Sequence, residues 1–348
     1  MTEDKGILIR NIYYMLSYAF QELKKNNYEP IAEEDFEHIQ DLFAEILFKG
    51  MSMQLKQGLY KEYIERTDTL PVLRGKIDLK GTIKNKLQRK NKISCEFDEL
   101  TENNIFNQIL ITTADLLIRA KAVSHKRKIQ LKSLTPFFSN IDYIEPATIR
   151  WNMLRYQRNN HSYRMLMNIC YFIIDGLLLS SESGSYSMPT FSDEHMNMLY
   201  QRFILEYYKQ EHKDIKTSAD KIDWHLDDKK TCIIEMLPSM QSDITLRKGE
   251  MTLIIDAKYY GKMLQSYFDR DTIHSGNLYQ IFTYVKNEDA QNTGNVSGLL
   301  LYAKSNTTDV PNLDAYFGPN RIMAKALDLN KDFENIKKQL EDILYTFS

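Results

Sequence analysis

The stretch Ser242-Asp-Ile-Thr-Leu-Arg-Lys-Gly-Glu-Met-Thr-Leu-Ile-Ile-Asp-Ala-Lys-Tyr-Tyr260 decides the reading of this chain. Asp243 to Arg247 and Met251 to Ala257 are strand-prone runs rich in β-branched and apolar residues, with Lys248, Gly249 and Glu250 between them. A two-residue loop of Gly249 and Glu250 suits a type II′ turn, which takes glycine at its first central position. That loop sets the register. Lys248 faces Met251, and stepping outward along the pair brings Asp243 opposite Asp256. Residues so placed sit about 4.5–5.5 Å apart at Cβ, and like charges there repel. A divalent cation is the simplest compensation. Lys258 follows Asp256 by two residues and therefore points to the same side of the strand. Two carboxylates and one ammonium thus gather at a strand end, the mixture that phosphodiester hydrolysis needs. Mg²⁺ held by Asp243 and Asp256 would keep positions for water and phosphate, with the Ala257 carbonyl as a further candidate ligand. Lys258 is the candidate for orienting water or neutralising developing charge.

Outward from this hairpin the pattern is that of an α/β core. On the N-terminal side, Ser192 or Asp193 can cap a helix running to about Lys213, with Leu199, Phe203 and Tyr207 inside. Glu206 on that helix is a candidate third carboxylate for the metal. Lys230 to Met236 reads as a strand before the hairpin. On the C-terminal side a helix is predicted around Leu278 to Val285. It places Gln280 and Tyr284 four residues apart on one face. His274 precedes it. An apolar strand, Gly298 to Ala303, follows, then shorter strands near Ala315 and at Ile322 to Leu327. An amphipathic helix carrying Phe333, Ile336, Leu340 and Ile343 closes the chain. Helix, strands, helix, strand in that order excludes a bundle or a β-sandwich.

The N-terminal half carries no catalytic pattern of its own. Helical spacing runs from Ile7 to Lys24 and again from about Glu33, and the pattern loosens at Gly50 and Gly58. Leu59 to Phe97, with Pro71, Gly75 and Gly81, suggests strands or an extended projection. Ser180-Ser-Glu-Ser-Gly-Ser-Tyr-Ser187 is the best linker candidate, which divides the chain into residues 1–180 and 181–348. The 348 residues are 43% hydrophobic and 26% charged, with net charge −2, so a general nucleic-acid coat is excluded. Basic residues nevertheless cluster, at Lys84 to Lys92 and at Arg119 to Lys132. The three cysteines lie far apart with no Cys-x-x-Cys pair, so neither a disulfide framework nor a zinc site is suggested. The apolar stretch Met165 to Leu179 is too short to cross a bilayer, and a cytoplasmic protein without a membrane partner is expected.

Asp243 with Asp256-Ala-Lys258 resembles the PD-(D/E)xK nuclease motif, although Pro238 lies five residues before Asp243 and the leading pair is not literal. The Gln280 and Tyr284 pair resembles the helix that accompanies the active site in nucleases related to RecB. Leu237-Pro-Ser-Met-Gln-Ser-Asp-Ile-Thr245, Ile255-Asp-Ala-Lys-Tyr-Tyr260, Asn277-Leu-Tyr-Gln280 and Ile9-Arg-Asn-Ile-Tyr-Tyr-Met-Leu16 resemble the McrC family more closely, across nearly the whole chain. That family supplies the nuclease subunits of the McrBC modification-dependent restriction systems. The resemblance implies an α/β (α+β) fold. Residues 1–180 would form a mixed helix/strand domain that binds a partner. Residues 181–348 would form a restriction-endonuclease-like domain with a central mixed sheet flanked by helices. It also implies a Mg²⁺-dependent DNA endonuclease that cuts methylcytosine-containing DNA together with an McrB-type AAA+ GTPase hexamer. The chain has no phosphate-binding loop, in keeping with GTP being bound by the partner. The basic projection at about residues 70–92 is the candidate for stimulating the GTPase, with Arg74 and Lys76 as its contacts, and two copies would pair through larger assemblies. The alternatives are a non-cutting regulator of an AAA+ motor and a stand-alone RecB-like nuclease.

Overall fold

The computed structural model describes residues 3–4, 7–20, 22–25, 28, 30–31, 34, 36, 38–178, 193–226, 236–259, 264–267, 270–304 and 311–346. The chain divides into two compact units, one of residues 1–42 with 188–348 and the other of residues 43–187. These units differ from the expected division at 180/181 in grouping residues 1–42 with the C-terminal part. The reason is a packing one. Helix Ile9–Ala19 is buried along most of its length. Its Tyr14 ring stacks on Phe333 at 4.3 Å, and Tyr18 meets Phe203 and Tyr207. Asn11 donates to the carbonyls of Leu329 and Lys331, both at 2.7 Å. The serine-rich linker candidate lies outside the described residues, as does the expected strand Lys230 to Met236 except for Met236, which sits in a turn.

The first unit is built on a six-stranded mixed sheet. Its strands run in the spatial order Leu313–Phe317, Asn320–Asp328, Val296–Lys304, Met251–Lys258, Ile244–Lys248, Lys216–Ser218. The three central strands Asn320–Asp328, Val296–Lys304 and Met251–Lys258 are parallel, and antiparallel hairpin partners flank them. Helix Ser275–Glu288 provides the crossover between Met251–Lys258 and Val296–Lys304, as a parallel pair requires. Ile281, Tyr284 and Val285 on this helix are buried with Ile254, Leu300, Ile322 and Ala324. Helix Asp193–Glu211 packs on Met251–Lys258 and Lys216–Ser218. Helices flank a mixed sheet, which is the α/β arrangement expected.

In the second unit, strands Glu62–Leu70, Ile93–Thr101 and Lys76–Ile77 pair in that spatial order. Helices Ile105–Arg119 and Tyr163–Leu178 pack together, and Ile109, Leu110, Leu117, Ile169 and Ile173 on them are buried. Gly50 does not loosen the pattern but lies inside helix Ile39–Gln57. The segment expected to be strand-like or extended after Gly75 turns helical at Leu79–Leu87. Asp78 caps that helix by accepting the Gly81 N–H at 3.1 Å. Among the described residues, no helix is long and apolar enough to cross a membrane.

Candidate active site

The turn at Gly249 and Glu250 forms as the sequence predicts. Gly249 has φ +59° and Glu250 has no positive φ, which fits a type II′ turn and excludes type I′. Pairing starts at Met251↔Lys248 and ends at Ile255↔Ile244. Asp243 and Asp256 are the next pair in that register, but Asp243 lies one residue beyond the ladder. Its side chain makes the connection instead: Asp243 Oδ2 accepts the Ala257 N–H at 2.9 Å.

Ile254, Asp256 and Lys258 alternate onto one face of their strand. That face is apolar where Ile254 packs near Ile281 and becomes charged toward the strand end. Lys258 Nζ lies 3.0 Å from Asp256 Oδ1, with both side chains nearly buried. It also donates to Gln280 Oε1 at 3.3 Å, and Gln280 Nε2 donates to the Tyr284 hydroxyl at 2.9 Å. Asp256, Lys258, Gln280 and Tyr284 therefore form one continuous polar chain from strand to helix. Burial pushes the Asp256 carboxyl up, the Lys258 charge opposes it, and the nearby Asp243 charge pushes it up again. Burial also raises Asp243, against the pull of Lys258 and the hydrogen bonds from Ala257 and Gln201.

Helix Asp193–Glu211 supplies a residue that charge-based sequence reasoning missed. Gln201 Nε2 donates to Asp243 Oδ2 at 3.1 Å and to the Ala257 carbonyl at 3.3 Å. Glu206, the candidate third carboxylate, is not brought to this cluster and pairs with Lys209 on its own helix at 3.2 Å. Five residues along a helix turn a side chain about 140° away from Gln201. An uncharged amide four residues after Asn197 was the signal for this face, since Asn197 Oδ1 also reaches the strand end and accepts the Tyr259 N–H at 2.9 Å. His274 sits at the start of helix Ser275–Glu288 as its N-cap, without a side-chain capping bond. Arg74 and Lys76 lie in the other unit, beside Glu99 and Glu96. A cavity of about 380 Å³ opens beside Gln201 and Asp243, lined also by Met198, Arg202, Gln241 and Ser242.

The donor set suits a hard divalent cation. Asp256 Oδ2 is buried without a hydrogen-bond partner, a costly state for a carboxylate oxygen unless a ligand compensates it. Asp243 Oδ2 and the Ala257 carbonyl already share one donor, Gln201 Nε2. All three are oxygens, as Mg²⁺ prefers. No cluster of three His, Cys, Asp or Glu residues able to hold a metal occurs among the described residues. Such a site would thus rest on two carboxylates and a carbonyl.

Asp243 and Asp256-Ala-Lys258 thus meet at the open end of a hairpin on a mixed sheet, backed by the Gln280-bearing crossover helix. The family model described as "McrBC 5-methylcytosine restriction system component" matches residues 3–303, and the chain belongs to this family. It is 29% identical over 310 residues to the Escherichia coli (strain K12) protein described as type IV methyl-directed restriction enzyme EcoKMcrBC, covering 88% of each chain. In fold it is similar to a chain in the Thermococcus gammatolerans assembly of McrB AAA+ hexamers with bound McrC. The TM-score there is 0.54 at 18% identity, over 96% of this chain and 76% of that one.

Proposed function

We propose that this chain is the DNA-cutting subunit of a modification-dependent restriction complex and that it works with an McrB-type AAA+ GTPase hexamer. The observation that carries the reading is the buried, partnerless Asp256 Oδ2 beside Asp243, the Ala257 carbonyl and Lys258. Asp243, Asp256 and Ala257 would hold Mg²⁺. When bound, the ion would supply a Lewis acid for the scissile phosphate and raise the acidity of nearby water. Lys258 keeps an ammonium beside Asp256, where it can orient the attacking water and neutralise charge developing on phosphate oxygens. Gln280 fixes the Lys258 ammonium, and Tyr284 fixes Gln280. Glu206 takes no part.

The N-terminal half supports the partner side of the reading. Leu79, Ile83 and Leu87 recur every four residues on one side of their helix and stay exposed, at 69%, 58% and 80%. Val72 and Leu73 are exposed in the loop before it. An apolar stripe left open among lysines suits docking to another protein. The related E. coli enzyme is described as methyl-directed and the archaeal chain as bound to McrB hexamers. By extension, this chain would act on methylcytosine-containing DNA, stimulate GTP hydrolysis through the segment at 70–92, and bind no GTP itself. The deciding experiment combines the purified chain with an McrB-type GTPase, GTP, Mg²⁺ and methylated DNA. Cutting should require all components and vanish in Asp256→Ala, with GTPase stimulation kept. Full cutting by that variant would remove the active-site assignment, and efficient cutting by the chain alone would remove the partner.

A further inference from the structure

The sheet brings Asp243 close to Asp256 but does not fix its carboxylate, because the ladder stops at Ile244 and Ile255. Two N–H groups converge on Asp243 Oδ2, one from the Ala257 backbone and one from Gln201. The Gln201 amide also holds the Ala257 carbonyl, while Asn197 holds the Tyr259 N–H. That carbonyl and that N–H belong to the two peptide groups flanking the Lys258 Cα. Asn197 and Gln201 are four apart, so one face of helix Asp193–Glu211 grips the backbone on both sides of the lysine.

We propose that Asn197 and Gln201 form a neutral positioning clamp for the cleavage centre. Gln201 sets the Asp243 carboxylate and the Ala257 carbonyl relative to each other, and the pair together fixes the backbone from which Lys258 projects. Neutrality matters at position 201, which touches Asp243, whereas position 197 needs only an acceptor for the Tyr259 N–H. A carboxylate at position 201 would set a third negative charge against Asp243 and remove the donor that joins Asp243 to the Ala257 carbonyl. Neither side chain needs to touch substrate: both act through Asp243, Ala257 and Lys258, much as outer hydrogen bonds orient metal ligands elsewhere. The inference rests on the nuclease reading above.

The test compares Gln201→Met, Asn197→Ala and Asn197→Asp with wild type and Asp256→Ala. Cleavage is measured with the GTPase partner, and Mg²⁺ affinity by calorimetry on the chain alone. Gln201→Met keeps the length and removes the donor. It should lower kcat about 10- to 100-fold with KM for DNA unchanged, and weaken Mg²⁺ binding by a similar factor. GTPase stimulation should stay at the wild-type level. Asn197→Ala should lower kcat, and Asn197→Asp, which keeps the acceptor, should restore most of it. Wild-type kcat and Mg²⁺ affinity in Gln201→Met, or equal losses in Asn197→Ala and Asn197→Asp, overturn the clamp. If Gln201→Met fails to fold, the Asn197 pair decides alone. Absence of cutting by wild type, or cutting by Asp256→Ala, instead overturns the nuclease reading.

Discussion

Lys258 Nζ stands 3.0 Å from Asp256 Oδ1, two residues along the same strand, and little of either side chain meets solvent. A buried pair of this kind is costly to break from one side, because the remaining charge has lost its partner. Lys258→Met should therefore push the Asp256 carboxyl further up, since the lysine charge is what opposes burial there. It also removes the donor to Gln280. Loss of one preorganised donor at a developing anion costs about 10²–10³ in rate. Single-turnover cleavage at saturating Mg²⁺ should fall by that factor. Lys258→Arg should recover little, because a planar guanidinium cannot occupy the place of a compact ammonium. Wild-type rates in Lys258→Met would take the lysine out of the chemistry.

The raised Asp243 and Asp256 carboxyls make a second prediction, about stability rather than rate. Burial, the largest cause for each, means that the folded metal-free chain holds protons more tightly than the unfolded chain. Linkage then gives the sign: stability from this pair is fully present below the ordinary carboxylate range and is lost as pH rises through the raised range of the folded pair. A cation binds the ionised form, so its stabilising effect should grow over the same window. Melting temperatures of wild type and Asp256→Asn, with EDTA and with Mg²⁺, isolate the contribution as their difference. In EDTA the wild type should lose stability relative to Asp256→Asn as pH rises. With Mg²⁺ that deficit should shrink or reverse. A wild type that gains on the variant with rising pH in EDTA would contradict the buried-pair account.

Much of this site was legible because a two-residue turn admits few registers and strand side chains alternate. Both rules are local, so Asp243, Asp256 and Lys258 could be placed together from sequence alone. What escaped was non-local or uncharged. Gln201 contributes an amide from a position 42 residues before Asp243, on the preceding helix, and charge drew attention to Glu206 on a different face. The first helix announced itself by its apolar spacing. Its partners Phe203 and Phe333 lie far along the chain, which hid the grouping of residues 1–42 with the C-terminal part. Helix Leu79–Leu87 was missed because its Leu-Ile-Leu stripe is exposed and interleaved with lysines and Gly81, so no clean amphipathic pattern marked it.

Gly298 controls how closely the Gln280 helix approaches the sheet. A Cβ at this position would meet Ile281 Cγ1 at 2.7 Å and Val285 Cγ2 at 2.8 Å. Both lie on the buried side of helix Ser275–Glu288, and Ile281 adjoins Gln280 in sequence. Gly298→Ala should cost about 1–3 kcal/mol, as overpacking of a core does. It should also move the helix outward and loosen the Lys258–Gln280 contact, so cleavage should fall even at temperatures where the variant is fully folded. Denaturant unfolding and cleavage at low temperature separate the two effects. A stable variant with wild-type cleavage would show that the helix position is not critical.

Arg74 offers the sharpest separation of the two proposed roles. Its guanidinium lies over the Phe97 ring at 4.0 Å and within 3.9 Å of Glu99, while half of the side chain remains exposed. The fixed stem and free edge suit a charge held ready for an anionic group on a partner, and Lys76 next to it is more exposed still. A surface ion pair of this kind contributes little to stability, so Arg74→Glu should leave the fold intact. If Arg74 contributes charge near the partner's phosphates, its reversal should lower GTPase stimulation about 10³-fold or more, the scale of a stimulatory arginine. GTP-dependent cutting should fall with it, while Mg²⁺ binding by the isolated chain stays unchanged because Asp243 and Asp256 lie in the other unit. Arg74→Lys should recover only part of the stimulation, since the ammonium cannot reproduce the guanidinium's planar fork. Unaltered stimulation in Arg74→Glu would move the activating contact elsewhere on the segment, and the same assay on Lys76→Glu and on Ile83→Asp, in the exposed apolar stripe, would then locate it.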